Sequence, residues 1–206
     1  MHLMLLGAPA SGKGTQADRL AKHFGLVHIS TGEILRQACT EGSELGELAN
    51  DYLKEGQLVP DHIVVQLVLD ALDDADGGYI MDGFPRTLRQ ARGFDVILGQ
   101  RDLPLDSVIF IEVADRILLE RSTGRRVDPV TGRVYHVQFA PPPVEIANRL
   151  EQREDDGEQV VKERLGIYHR TTSEVVEHYR QQGLITRIDG AQDPDQVFAH
   201  IIEQLN

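Results

Sequence analysis

The sequence predicts an α/β fold built on a central parallel sheet. Short apolar runs alternate with amphipathic helical stretches along the chain. Its first strand also runs directly into a glycine-rich turn and a helix, GAPASGKGT at residues 7–15. At 206 residues the chain suits one compact domain with small insertions.

HLMLLG (2–7) is an apolar run ending in glycine, as a buried parallel strand would be. TQADRLAKHFG puts Ala17, Leu20, Ala21 and Phe24 on one helical face, with Gly25 as the stop. LVHIS (26–30) reads as a second strand, followed by two short helices, TGEILRQAC and SELGELANDYLKEG. Ser30 or Thr31 is placed to cap the first of these. PDHIVVQLVLDAL (60–72) opens with proline, which favours a first helical turn. YIMDG (79–83) and DSVIFIEV (106–113) are strands, each followed by a helix. From about 124 to 156 the helical period fades: DPVTG is a turn between strand-like pieces, then prolines fill 141–143, so this reads as an inserted flap of small strands. A long helix, the strand LITRID (184–189) and a closing helix end the chain, giving five strand-like segments in all.

Composition narrows the function. Hydrophobic residues make up 41% and charged residues 26%, ordinary for a soluble globular protein. No run of 18 apolar residues suggests a membrane span, and the N-terminus does not read as a secretory signal. A net charge of −12 argues against nucleic acid and anionic membranes as partners. The single cysteine, Cys39, excludes an intrachain disulfide and a cysteine-based zinc site and suits a reducing cytoplasm. It reads as a small packed residue. The histidines His2, His23, His28, His62, His169, His178 and His200 show no metal-ligand spacing and read as structural or surface.

The glycine turn carries chemistry. Gly7, Gly12 and Gly14 let backbone N–H groups turn inward around a phosphate, and the helix beginning near Lys13 adds its positive end. Lys13 supplies a mobile cation for the β and γ phosphates. The hydroxyl that usually follows this lysine arrives one position late, at Thr15, so Mg²⁺ is expected to be held mainly by phosphates and water.

The form G-x-P-x-x-G-K-G-T, with HISTGEILR (28–36), YIMDGFPRT (79–87) and GRVYH (132–136), resembles the adenylate kinases of the long-lid bacterial type. The resemblance spans nearly the whole chain. It implies a P-loop kinase fold: a five-stranded parallel sheet flanked by helices (1–29, 60–123 and 157–206), a helical AMP-binding segment (30–59) and a small β-rich lid (124–156). It implies transfer from Mg-ATP to AMP giving two ADP, by a cytoplasmic monomer. By resemblance, ATP meets Gly7, Ala8, Pro9, Ala10, Ser11, Gly12, Lys13, Gly14, Thr15, Arg121, Arg125, Val134, Tyr135 and His136. AMP meets Thr31, Arg36, Gly83, Arg86, Gln90, Arg153 and Arg164, with Arg36 and Arg86 on its phosphate and Thr31 and Gln90 near its base. Lys13, Arg86, Arg125, Arg153 and Arg164 form the catalytic set, the last three facing the transferring phosphoryl, and Asp82 lies near Mg²⁺ through water. Arg126 and Arg133 stand equally as site or lid-surface residues, and Asp155 and Asp156 are candidates to pair with lid arginines.

The lid departs from the pattern. Relatives clasp it with four cysteines on zinc or with a hydrogen-bonding set; here Asp128 and Thr131 fill the first two places and the second half is missing, so no structural zinc is expected and the lid is expected to loosen before the core. Two other readings stand beside this one. A P-loop kinase for a different acceptor would show itself in an acceptor screen, and a nucleotide-sensing module without catalysis would form no ADP.

Overall fold

A computed structural model describes residues 1–75 and 77–205. Five parallel strands, β1 (His2–Leu6), β2 (Val27–Ser30), β3 (Tyr79–Asp82), β4 (Ser107–Glu112) and β7 (Ile185–Asp189), form one sheet in the order β2-β3-β1-β4-β7. Two short antiparallel strands, β5 (Arg125–Val127) and β6 (Val134–His136), form a separate hairpin.

Period-two alternation in β1 sorts the core into two layers. Met4 and Leu6 face one side, where they join Val64, Val68 and Leu72 of α4 (Asp61–Asp73), Phe94 and Leu98 of α5 (Leu88–Arg101), and Val175 and Tyr179 of α8 (Glu158–Gln181). Leu3 and Leu5 face the other side, against Ala17 and Leu20 of α1 (Lys13–Phe24) and Val197 and Ile201 of α9 (Pro194–Leu205). Strands apolar on both faces can only sit between helical layers, which is why these runs read as continuous rather than alternating.

The register aligns the carboxyl ends of the strands. Leu5 pairs with Asp82, and Asp82 pairs with Ser30. The chain leaves β1 first for β2 and β3 on one side, then for β4 and β7 on the other. The loops after β1 and β3 therefore open at the sheet's topological switch, where open α/β sheets leave a crevice.

Two excursions overhang that edge. The first holds α2 (Thr31–Glu41) and α3 (Glu44–Lys54). Gly46 lets these helices touch, since a Cβ there would stand 2.1 Å from the Ala38 carbonyl oxygen. The second holds β5, β6, the single-turn helix α7 (Val144–Ala147) and a 3₁₀ turn (Glu154–Asp156) before α6 (Asp115–Thr123) and α8 close around its base. The flap is thus less strand-rich than expected, because the proline run at 141–143 cannot pair and leads into a helical turn. The two excursions meet where Lys54 Nζ is 3.6 Å from Glu154, and the first also closes on α8 of the core, where a Cβ on Gly56 would stand 2.6 Å from Arg164 Cγ.

Two expectations are corrected. Ser30 takes the capping position of α2, but its side chain makes no cap hydrogen bond, and Thr31 is the first helical residue. The flap also has a complete clasp. Asp128 is 1% exposed. It accepts from the Val130 N–H at 3.1 Å, the Thr131 hydroxyl at 2.8 Å, and both arms of the Arg149 guanidinium at 2.8 and 2.5 Å. Arg149 lies in the shortened segment and supplies the positive charge that faces this carboxylate. Val127 and Glu151 add a two-way backbone pair beside it. Among the described residues, no group of three or more His, Cys, Asp or Glu is placed to hold a metal ion.

Candidate active site

A cleft of about 1030 Å³ lies along the carboxyl edge of the sheet, beneath the two excursions. Its floor is the turn after β1. Gly7 and Gly12 adopt φ of 153° and 99°, conformations that favour glycine. At Gly7 space is also lacking: a Cβ would stand 2.6 Å from the Ile111 carbonyl oxygen and 2.7 Å from Ser11 Oγ. Gly12 gives α1 no side-chain cap, so the first N–H groups of the helix are left for a ligand. Lys13 folds back over the turn and donates to the Gly7 and Ala8 carbonyls, both at 2.9 Å.

The cleft wall is strongly cationic. Lys13, Arg36, Arg86, Arg125, Arg153 and Arg164 all line it, with Asp82 set among them. Each cation comes from a different local device. Arg36 projects from α2; Arg86 follows β3, its Nε donating to the Gly83 carbonyl at 2.7 Å. Arg125 is held by Asp156, which is fully buried, and Arg164 reaches Asp155 at 2.5 Å. The expected pairing of Asp155 and Asp156 with arginines is therefore present.

Crowding this many cations shifts their titration. Burial pushes the Lys13 ammonium down to about 8, partly offset by Asp82 and assisted by Arg86 and Arg164. Burial followed by repulsion from Arg164 pushes Arg86 down to about 10, and burial with Arg36 and Arg125 nearby does the same to Arg153. These guanidinium groups remain charged at neutral pH. Such a field is costly when empty and favourable once anions enter it.

Asp82 is the buried carboxylate set among these cations. Burial alone would raise it, but His28, Lys13 and Arg86 together hold it below its usual value. His28 Nε2 is 3.6 Å from Asp82 Oδ2, an electrostatic contact rather than a hydrogen bond, while its Nδ1 meets Asp18 at 2.8 Å. Burial disfavours the charged ring, yet the two aspartates raise its titration overall. His28 thus belongs to the site's electrostatics, and the sequence reading as a structural residue missed this.

The other expected residues divide clearly. Pro9, Ala10, Ser11, Gly14, Thr15, Gly83, Arg121, Val134, Tyr135 and His136 line the cleft with those above. Ala8, Thr31 and Gln90 do not; all three are buried just behind its surface. Thr31 Oγ1 donates to the Asp82 carbonyl at 3.5 Å and packs beside Gly83. Arg133 lines the cleft with its guanidinium over the Tyr135 ring, 5.3 Å from the centroid, whereas Arg126 turns to the Thr123 and Arg125 carbonyls. His136 has a fixed tautomer. Its Nδ1 accepts from the Gln138 and Phe139 N–H groups, both at 3.0 Å, so Nε2 carries the proton and donates to the Glu120 carbonyl at 3.2 Å. Phe139 stacks on the ring at 4.3 Å.

The cleft also includes residues that no motif marked. Leu58 lines it on one side; Gly190, Ala191 and Gln192, after β7, line it on the other. The only available signal for the latter is position, since they follow a strand at the carboxyl edge of the sheet. Gln16 Nε2 and Arg19 Nη1 both donate to the Pro194 carbonyl, at 2.9 and 2.7 Å, and so brace this loop.

A phosphate-binding turn, a cationic wall and a buried carboxylate set among the cations suit phosphoryl chemistry on two anionic ligands. Asp82 alone supplies too few oxygens to cage a cation, so a hard divalent ion here would draw most of its ligands from phosphates and water, as Mg²⁺ readily does.

Comparison with known proteins agrees. The family model described as adenylate kinase matches residues 5–184. An adenylate kinase from Gloeobacter violaceus is 44% identical, covering 99% of this chain and 98% of the relative. One from Lachnospira eligens is 41% identical over the full length of both chains. One from Caldicellulosiruptor bescii is 44% identical across 94% of this chain and 93% of its own. By its matched length and by these relatives, the chain belongs to the adenylate kinase family.

Proposed function

We propose that this protein catalyses Mg-ATP + AMP ⇌ 2 ADP, with the cleft as its active site. The observation that carries the reading is the convergence of Lys13, Arg36, Arg86, Arg125, Arg153 and Arg164 on one cleft in a chain of net charge −12. The phosphates of ATP occupy the turn 7–15 and the N-terminus of α1, and its base lies toward Arg121, His136 and the loop after β7. AMP lies on the other side, its phosphate gripped by Arg36 and Arg86.

An AMP phosphate oxygen attacks the γ-phosphorus of ATP in line. The new P–O bond forms as the bond to the β-phosphate oxygen breaks, and ADP leaves. The nucleophile is already anionic, so no general base is required, which fits a site furnished with cations rather than with a base. Lys13, Arg125, Arg153 and Arg164 offset charge spreading over the transferring group. Bound Mg²⁺ would neutralise phosphate charge, with Asp82 holding its water.

Segments 30–59 and 124–156 act as two covers over the core (1–29, 60–123 and 157–206), excluding water as a competing acceptor. No described helix is long and apolar enough to cross a membrane. We take the protein to work as a cytoplasmic monomer that binds no nucleic acid; size-exclusion chromatography checks the first point.

Replacing Arg86 with alanine tests the site. The fold should persist by circular dichroism, while ADP formation from ATP and AMP falls by about 10²- to 10³-fold or more. Turnover close to that of the unmodified protein would overturn this assignment.

A further inference from the structure

Gln90 is 5% exposed, and its neighbours distinguish the two ends of its amide. The main-chain N–H of Arg86 can only donate, so the group 2.7 Å from it is Oε1. The Asp61 carboxylate can only accept, so the group 2.7 Å from it is Nε2. Chemistry on both sides thus fixes one orientation. One N–H and one oxygen lone pair of the amide remain after these two bonds. The amide spans from Arg86, which lines the cleft, to the first residue of α4, which follows the cleft-lining Leu58 by three positions. Its backbone is pinned as well, with the Gln90 N–H donating to Thr87 Oγ1 at 3.2 Å. Asp61 itself does not line the cleft; its other oxygen lies 3.9 Å from the Nε of Arg89, an exposed residue.

We propose that Asp61 is a positioning residue that sets acceptor-base specificity by locking the Gln90 amide. The inference rests on the proposal that AMP is the acceptor and on the resemblance that puts Gln90, buried just behind the cleft surface, near its base. A 6-aminopurine presents a ring nitrogen that accepts and an exocyclic amine that donates. A 6-oxopurine of the same shape presents the reverse: N1–H donates and O6 accepts. An amide read by the first base must flip to read the second in the same place. Flipping here would set the NH₂ group against the Arg86 N–H and the amide oxygen against the Asp61 carboxylate. Both contacts become repulsive, and a buried polar group left unpaired is heavily penalised. Discrimination between amino and oxo purines therefore resides in Asp61 as well as in Gln90.

The test compares AMP with IMP, which differ at position 6 and in the N1 proton. Steady-state kcat/KM for each is measured with saturating Mg-ATP in the unmodified protein, Asp61→Ala, Asp61→Asn, Gln90→Leu and the Ala/Leu double variant. We expect the unmodified protein to favour AMP. Asp61→Ala should lower the AMP:IMP ratio at least tenfold, mainly through the KM for AMP, with the KM for ATP within twofold. Asp61→Asn keeps a carbonyl acceptor and should restore most of the ratio. In the Gln90→Leu background, the Asp61 change should have no further effect on it. Should Asp61→Ala fail to fold, Asp61→Ser carries the same expectation. A ratio within twofold of the original in the folded variant, or an equal fall with Leu at position 90, overturns the inference. If the unmodified protein uses AMP no better than IMP, the acceptor reading beneath it fails, and the inference with it.

Discussion

Ala10 sits in the phosphate turn at φ 63°, in the left-handed region, beside a hydrogen bond from the Ser11 N–H to the Ala8 carbonyl that closes the bend. A residue with a Cβ in this conformation is strained by about 1–2 kcal/mol. Glycine removes that strain but gives the unfolded chain more freedom, a cost of about 0.4–1 kcal/mol. The balance favours Ala10→Gly by about 0.5–1 kcal/mol. For a chain of this size that is a rise in Tm of about 1–4 °C. A β-branched residue should move the other way, so Ala10→Val is expected to be less stable than the original. Urea unfolding followed by circular dichroism reads this order directly, provided the slope with urea is the same for all three proteins. A glycine variant less stable than the original, or a valine variant equal to it, would refute the argument that this turn stores backbone strain.

Three further outcomes follow from the geometry. Lys13 titrates near 8 when folded against 10.5 as its ordinary value, so between those limits the unfolded chain holds a proton that the folded one lacks; stability from this group rises with pH there. Phosphates drive the proton back, so at pH 8.5 calorimetry in buffers of differing ionisation heat should show uptake of about three-quarters of a proton per ATP, lost in Lys13→Arg; no uptake in the unmodified protein would count against it. Arg149→Met leaves the buried Asp128 carboxylate without its counter-charge, and hydrogen exchange should accelerate across 125–151 while the sheet stays protected; uniform protection would show that the pair does not hold the flap. Gly46→Ala forces a Cβ to within 2.1 Å of a backbone oxygen, and should loosen residues 31–54 and raise the KM for AMP more than that for ATP.

The parts of this molecule legible in sequence were those with a local physical code. The strands were readable as short apolar runs, three of which end in glycine or aspartate, and the phosphate turn because its glycines and lysine lie close together. Arg86 followed from its place just after a strand. Arg149 was not legible: it lies 21 residues from the carboxylate it faces, in a segment without period, and only folding brings them together. His28 was hidden for a similar reason, since Asp82 meets it across two strands paired in register. Gln90 could be assigned by family pattern, but that it is locked from behind by Asp61 depends on how α4 and α5 pack.

The contact between Lys54 and Glu154 joins the two overhanging excursions at the edge of the cleft, with side chains 49% and 71% exposed. Dissolved ions screen such an attraction over about 8 Å at physiological strength, but they cannot enter a closed, crowded interior as freely. Traffic through the mouth is thus exposed to ambient salt in a way that bond-breaking is not. If departure of ADP sets the pace, moderate KCl will quicken the whole cycle; if the chemical step does, the pace will hold or fall.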